Sequence, residues 1–296
     1  MIFCILRGKK DVTMIKIIES PRDAMQGIKQ IIPTKDKIRF LNALLKVGFD
    51  TLDFGSFVSH RAVPQMADSR QVIDNLDVSD TQTKLLAIVG NLRGAIEVSE
   101  IDQIHYMGFP FSISRTFSEL NINTNVKEAY RIIDGIQNIC HKKNKELVVY
   151  LSMAFGNPYG DKWGTDVVYR WTRILNQHDI KIIALSDTIG LGNKNRIYEV
   201  FKLMLDEFPN IEFGAHLHTT PSNWLSNVDA AFQAGCRRFD TVINGLGGCP
   251  MSNQELVGNL HTSHLLKYLK DNNENTNFDF EALETARHIA NKIYPS

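Results

Sequence analysis

Eight short β-rich runs alternate with longer stretches of helical periodicity, and this alternation limits the folds open to the chain more than any other feature. The runs cover residues 15–19, 51–55, 84–89, 103–109, 147–152, 181–186, 212–216 and 239–243. Between them, residues 37–47, 126–141, 166–177, 195–207 and 222–234 carry apolar side chains at three- and four-residue intervals, the period of a helix with one buried face. In 37–47, Ile38, Leu41, Leu44 and Leu45 share a face, with Thr34 placed to cap the start and Gly48 to end it. Strands separated by helices pair in parallel through right-handed crossovers. Eight such units in about 250 residues fit the α/β class as a single (β/α)8 TIM barrel. An open doubly wound sheet is the competing arrangement. Against it, the first run is followed by Ser20-Pro21-Arg22-Asp23 and not by a glycine-rich dinucleotide fingerprint. No Pro/Ser-rich linker divides the 296 residues. The expected organisation is one catalytic barrel over residues 15–296, with C-terminal closing helices from residue 261 and a polar loop at 271–277. Residues 1–14 read as an N-terminal extension or a misassigned start.

Charge and composition exclude several partners. Lysine plus arginine (33) equals aspartate plus glutamate (33), which gives no support for binding nucleic acid or a membrane surface. No apolar stretch approaches the roughly 20 residues that span a bilayer. The apolar start is interrupted by Arg7, Lys9, Lys10 and Asp11 and lacks a signal-peptide cleavage site. The cysteines Cys4, Cys140, Cys236 and Cys249 are too sparse for a disulfide framework. They read as free thiols of a reducing, cytoplasmic compartment. Cys236 is expected to be a small core residue.

A parallel barrel builds its active site at the C-terminal ends of its strands. Polar groups fall at six of the eight ends: Arg22 and Asp23; Asp53 and Ser56; Ser152; Ser186, Asp187 and Thr188; His216 and His218; and Asn244 with the turn Gly245-Leu246-Gly247-Gly248-Cys249-Pro250. Alternate strand residues point the same way, so His216 and His218 can both face one metal ion. Arg22 sets a cation beside the Asp23 carboxylate, and the glycine turn holds a thiol. Two imidazoles, a carboxylate, a guanidinium and a thiol suit carbonyl chemistry on a metal. Singly, each has a plainer reading: a surface turn, an exposed H-x-H pair, a helix cap at Asp187-Thr188, a helix start at Gly258-Asn259. His105, His141, His178, His261 and His264 read as satisfied or exposed, and Met25, Trp163, Trp171 and Trp224 as packing residues.

The motifs resemble one family along most of the chain. Residues 16–26, with Pro21-Arg22-Asp23, resemble the opening motif of 3-hydroxy-3-methylglutaryl-CoA lyases. So do Gly55-Ser56-Phe57-Val58-Ser59, Val63-Pro64-Gln65-Met66, Ser186-Asp187-Thr188-Ile189-Gly190, His216-x-His218, the Gly-Leu-Gly-Gly-Cys-Pro turn and Gly258-Asn259. The Arg-Asp, H-x-H and Gly-Asn elements are shared with the wider superfamily of metal-dependent lyases and Claisen-type synthases. The Ser-Phe-Val-Ser and Gly-Gly-Cys-Pro segments point to the lyase branch.

The resemblance implies a divalent cation, Mg²⁺ or Mn²⁺, on Asp23, His216, His218 and Asn259. It implies Arg22 on the thioester oxygen, Cys249 as a mobile catalytic thiol, and an acyl-CoA substrate cleaved to acetyl-CoA and acetoacetate. The general base stays open among Asp23, Asp187 and a histidine. A homodimer is a further expectation from the family. The chain departs from the pattern at Ser20 and Ala24, where glycines are usual, and at Thr219, where aspartate is common. It also departs at Asp53, in place of glutamate, at Arg115, and by one extra residue between Cys249 and Asn259. Rival readings are a Claisen-condensing synthase, a 4-hydroxy-2-oxo acid aldolase and a degenerate barrel serving as a scaffold.

Overall fold

The computed structural model describes residues 14–122, 126–248 and 257–294. Its strands are β1 (Lys16–Glu19), β2 (Thr51–Ser56), β3 (Lys84–Ile88), β4 (Ile104–Ser112), β5 (Glu146–Ser152), β6 (Ile182–Asp187), β7 (Glu212–Leu217) and β8 (Arg238–Thr241). They close into a barrel in sequence order, every neighbour parallel, with β8 pairing back onto β1. This is the (β/α)8 barrel expected from the alternation. Two ends differ. β4 continues to Ser112, in register with β5 to Ser152. β8 stops at Thr241 because the chain turns into a 3₁₀ segment where Asn244 takes φ 68°.

The helices are α1 (Pro21–Gln26), α2 (Thr34–Leu44), α3 (Ser69–Ile73), α4 (Leu92–Ser99), α5 (Arg115–Ile122) and α6 (Val126–Lys143). They continue with α7 (Thr165–Gln177), α8 (Lys194–Glu207), α9 (Trp224–Ala234), α10 (Thr262–Asp271) and α11 (Phe280–Ile293). Local chemistry sets several boundaries. The Asn193 side chain accepts from the N–H groups of Asn195 and Arg196 and starts α8. α9 ends where Gly235 turns left-handed at φ 112°. Thr34 does not cap α2. It is the first helical residue after Pro33, and its hydroxyl donates to Asp68 Oδ2 at 2.8 Å. The closing helices form as expected, and α11 returns to α2, with Tyr294 edge-on to Phe40 at 5.7 Å.

Strand alternation divides the interior in two. Outward residues such as Ile17, Leu52, Phe109, Leu185 and Phe239 pack with the helices in the main core. Cys236 lies in this core, as does Met25, and the three tryptophans pack against it. Inside the barrel, β3 to β6 supply a second apolar cluster of Leu86, Ile88, Tyr106, Val148, Tyr150, Ile182 and Ala184. The other half of the interior is charged: Asp53 on β2, Glu212 on β7, and Arg238 and Asp240 on β8. No helix among the described residues is long and apolar enough to cross a membrane.

Glu19 locks the barrel seam from its helix-facing side. Its carboxylate accepts from the Ile243 N–H at 2.6 Å, Thr262 Oγ1 at 2.7 Å and Thr241 Oγ1 at 3.1 Å. Burial pushes Glu19 up from 4.5 to about 7, against the pull of those three donors. Because the folded value is raised, the contribution of this group is fully present below 4.5 and is lost as pH rises through about 7. At 1.4 kcal/mol per unit, the loss is on the order of 3 kcal/mol. Thermal melts of Glu19→Gln should therefore show a flatter decline than wild type between pH 5 and 7. Parallel curves would mean that Glu19 is ionised throughout that window.

Candidate active site

Proline at the first helical position preorganises the short α1 directly after β1. The helix turns Arg22 and Asp23 into the C-terminal mouth of the barrel, where both are buried. Arg22 grips β2: its Nε and Nη2 donate to Asp53 Oδ2 at 3.0 and 2.5 Å. Its Nη1 donates to Asp23 Oδ1 at 2.9 Å and Gln26 Oε1 at 3.0 Å. A guanidinium has five N–H donors, so among the described residues one Nη2 N–H remains for a ligand. Burial alone would weaken the Arg22 charge, but Asp53 and then Asp23 more than restore it. Burial pushes Asp53 up to about 6 against Arg22, which leaves it the anionic partner at neutral pH. For Asp23, burial is outweighed by Arg22, His216, His218 and Asn259, so its carboxyl lies below the ordinary range.

β7 brings in the two histidines. His216 Nδ1 is 3.0 Å from Asp240 Oδ2, and His218 Nδ1 is 2.8 Å from the Val257 carbonyl. Both partners are acceptors, so each Nδ1 carries the hydrogen and each Nε2 presents a lone pair. The two Nε2 atoms face each other at 3.3 Å, an arrangement that a cation between them would stabilise. Burial opposes charge on His216, but Asp240 and then Asp23 raise its pKa. Burial and the neighbouring His216 push His218 down to about 4. A carboxylate oxygen of Asp23 and one nitrogen of each histidine all lie within 4.8 Å of one another. This cluster could hold a metal ion.

Asn259 arrives on an extended segment, not a helix start. It bridges to His218, while the Leu260 N–H donates to the Leu217 carbonyl. Its Nδ2 donates to Asp23 Oδ2 at 2.6 Å and the Leu246 carbonyl at 2.9 Å, which leaves Oδ1 as the atom available to a cation. The approach depends on glycine. A Cβ on Gly258 would lie 2.3 Å from the Gly245 carbonyl oxygen, and one on Gly247 would lie 2.6 Å from Asn259 Nδ2. Gly258→Ala should displace Asn259, weaken Mn²⁺ binding about tenfold and cost about 1–3 kcal/mol in a denaturant melt. Unchanged Mn²⁺ affinity in a folded variant would remove Asn259 from the ligand set.

These groups open into a cavity of about 410 Å³, with Arg22, Asp23, His216 and His218 on one side and Val58, Val63, Ile88 and Phe117 among its apolar lining. Ser56, Ser152, Ser186 and Thr188 also reach it. Asp187 does not. It is the outward residue at the end of β6, and both its oxygens accept from the Gly192 N–H at 3.0 Å. Burial pushes Asp187 up to about 7 against the Gly192 and Leu191 N–H groups. Cys249 lies outside the described residues. Arg115 is exposed and paired with Glu119 at 3.0 Å. Sequence reasoning missed Gln26, which braces Arg22 and donates to Asp23 Oδ1 at 2.7 Å; its signal was helical spacing from the Arg-Asp pair. It also missed Asp240, which strand parity in the eighth run placed inward.

Fold and site together define a class, a parallel barrel with a carboxylate and two imidazoles that could hold a metal ion beside a buried arginine. A family model described as HMGL-like matches residues 14–289. Over 280 residues the chain is 31% identical to a hydroxymethylglutaryl-CoA lyase of Bacillus subtilis, covering 94% of this chain and 91% of that one. It is 30% identical over 277 residues to a 3-hydroxy-3-isohexenylglutaryl-CoA/hydroxymethylglutaryl-CoA lyase of Pseudomonas aeruginosa, covering 94% and 91%. The structure of the Bacillus subtilis HMG-CoA lyase superposes with a TM-score of 0.88 at 31% identity, covering 96% of each chain. An HMG-CoA lyase from Acenitobacter baumannii, solved with coenzyme A and 3-methylmalate, gives 0.87 at 26% identity, covering 95% and 91%. The chain belongs to the family of HMG-CoA-lyase-like enzymes.

Proposed function

We propose that this enzyme cleaves 3-hydroxy-3-methylglutaryl-CoA to acetyl-CoA and acetoacetate, with Mg²⁺ or Mn²⁺ held by Asp23, His216, His218 and Asn259. The observation that carries the reading is the convergence of two Nε2 lone pairs and an ionised carboxylate beside the free N–H of Arg22. The mixed nitrogen and oxygen donor set suits either cation. Bound there, the cation would serve as a Lewis acid and template for the substrate's C3 oxygen.

The chain's own groups account for the remaining steps. The C3 hydroxyl loses its proton to Asp23 or a histidine; Asp187, bonded to Gly192, is the weaker candidate. The C2–C3 bond breaks, C3 becomes the ketone of acetoacetate, and its electron pair passes into the thioester as an enolate. Arg22 Nη2 donates to the enolate oxygen, where charge exists only during reaction. A proton then returns to C2. Cys249 is the proposed donor, and Gly247, two residues before it, packs against Asp23 and Asn259. Val58, Val63, Ile88 and Phe117 exclude water from the apolar side.

The test is acetoacetate and acetyl-CoA release with added Mn²⁺, run beside a condensation assay with acetyl-CoA and a 2-oxo acid. Condensation without cleavage would transfer the chain to the synthase reading. Neither reaction in metal-loaded protein would favour the scaffold. Free, buried Cys140 and Cys236 suit a cytoplasmic location. Sedimentation would test a homodimer through the outer helices.

A further inference from the structure

Inward residues alternate along β8, so Arg238 and Asp240 face the barrel axis while Phe239 faces the helices. Arg238 is 1% exposed, an expensive position for a guanidinium. Ala215 pairs with Phe239, which sets Gly214 level with Arg238 and His216 level with Asp240. The slot is built for the arginine: a Cβ on Gly214 would lie 3.0 Å from Arg238 Cδ and 3.3 Å from its Nε. At the lower end, Arg238 Nη1 donates to Glu212 Oε1 at 3.0 Å, and Lys16 Nζ holds Glu212 Oε2 at 2.5 Å. Arg238 Nε and Nη2, Asp240 Oδ1 and Tyr150 Oη are buried with no protein partner among the described residues.

These four atoms are complementary. Arg238 offers donors, Asp240 an acceptor, and the tyrosine hydroxyl both. The groups act on one another: after burial, Asp240 is the largest influence on both Arg238 and Tyr150. A buried water is stable where two to four polar groups converge, and unpaired groups here would be costly. Asp240 Oδ2 is the atom that fixes His216, so whatever holds Asp240 Oδ1 also fixes the ring that faces Tyr150 edge-on at 5.5 Å.

We propose that Arg238 is a positioning residue for the cation site: through water shared with Tyr150 Oη it anchors Asp240 Oδ1, which keeps Asp240 Oδ2 on His216 Nδ1 and His216 Nε2 aimed at the cation. The proposal rests on reading Asp23, His216 and His218 as metal ligands. It extends the site along the barrel interior as a polar column from Lys16 and Glu212 to His216.

The test uses the full chain and Mn²⁺ alone, with titration calorimetry, melting curves and metal-free crystal structures. Methionine fills the slot without donors. Arg238→Met should raise the Mn²⁺ dissociation constant about tenfold, the lower end of the tenfold to hundredfold range for groups behind a metal ligand. Asp240→Asn should fall higher in that range, and Arg238→Lys should recover most of the loss. The wild-type crystal should contain water touching Arg238, Tyr150 and Asp240. Wild-type Mn²⁺ affinity in folded Arg238→Met, or a wild-type crystal with no such water, would overturn the proposal. If Arg238→Met does not fold, Tyr150→Phe removes only the hydroxyl and should weaken Mn²⁺ binding several-fold; no change would likewise overturn it. If wild type binds no Mn²⁺, the metal reading fails separately. The crystals then decide: a His216 ring displaced in Arg238→Met supports positioning, and an unmoved ring rejects it.

Discussion

Arg22→Gln is expected to lower kcat by about two to three orders of magnitude, the cost of deleting one donor to a developing oxyanion, with KM changing only a few-fold. Arg22 already spends most of its N–H groups on Asp53, Asp23 and Gln26, so its orientation is set before substrate arrives. The remaining Nη2 N–H meets full negative charge only once the C2–C3 bond is breaking, so its loss should appear in the chemical step. Glutamine also leaves Asp53 buried without its cation. Asp53 is already raised to about 6 and should bind a proton in the variant, which limits the loss of stability. Arg22→Lys restores charge but not the fork that spans Asp53 and the substrate, so it should recover only part of kcat. A raised KM with unchanged kcat would make Arg22 a binding residue.

The barrel was legible because a parallel sheet writes itself twice, once in β-rich runs and again in the helical periods between them. The candidate ligands were legible because His216, His218 and Asp23 sit at strand ends, where parity and the fold's polarity agree. Asp187 read as a candidate base because it also ends a strand. Parity turns it away from the cavity: Ser186 faces in, so Asp187 faces out and reaches Gly192. Asp240 was hidden for the opposite reason. A carboxylate within a run of strand residues carries no local sign that the neighbouring strand presents a histidine at its level. Thr34 misled because a hydroxyl before a helix resembles a cap; the proline preceding it made Thr34 the first helical residue and freed the hydroxyl for Asp68. Apart from Asp53, the charged half of the barrel interior was invisible, since Arg238 in isolation looks like a surface cation. It becomes a core residue only when Gly214, on another strand, is known to lie beside it.

His216→Ala should abolish the cation site and the reaction together. Mn²⁺ affinity is expected to fall by at least about a hundredfold, the upper end of what losing a group behind a ligand costs. Turnover should fall in step when assayed at fixed Mn²⁺. The deletion removes one of two converging Nε2 atoms and leaves Asp240 Oδ2 without its partner, so some loss of melting temperature is expected as well. That structural cost must be separated from the loss of a ligand. Alanine leaves a space shaped for an imidazole ring, bounded by Tyr150 and Asp240. Imidazole added in solution can enter it, donate to Asp240 and present its other nitrogen to the cation. Partial recovery of Mn²⁺ binding and turnover with imidazole, at a concentration that leaves wild type unaffected, would assign the defect to the missing ligand atom. Recovery of melting temperature alone would assign it to packing. Wild-type turnover by His216→Ala in chelator-treated solution would remove both the cation and His216 from the reaction and leave Asp23 and His218 as the acid–base candidates.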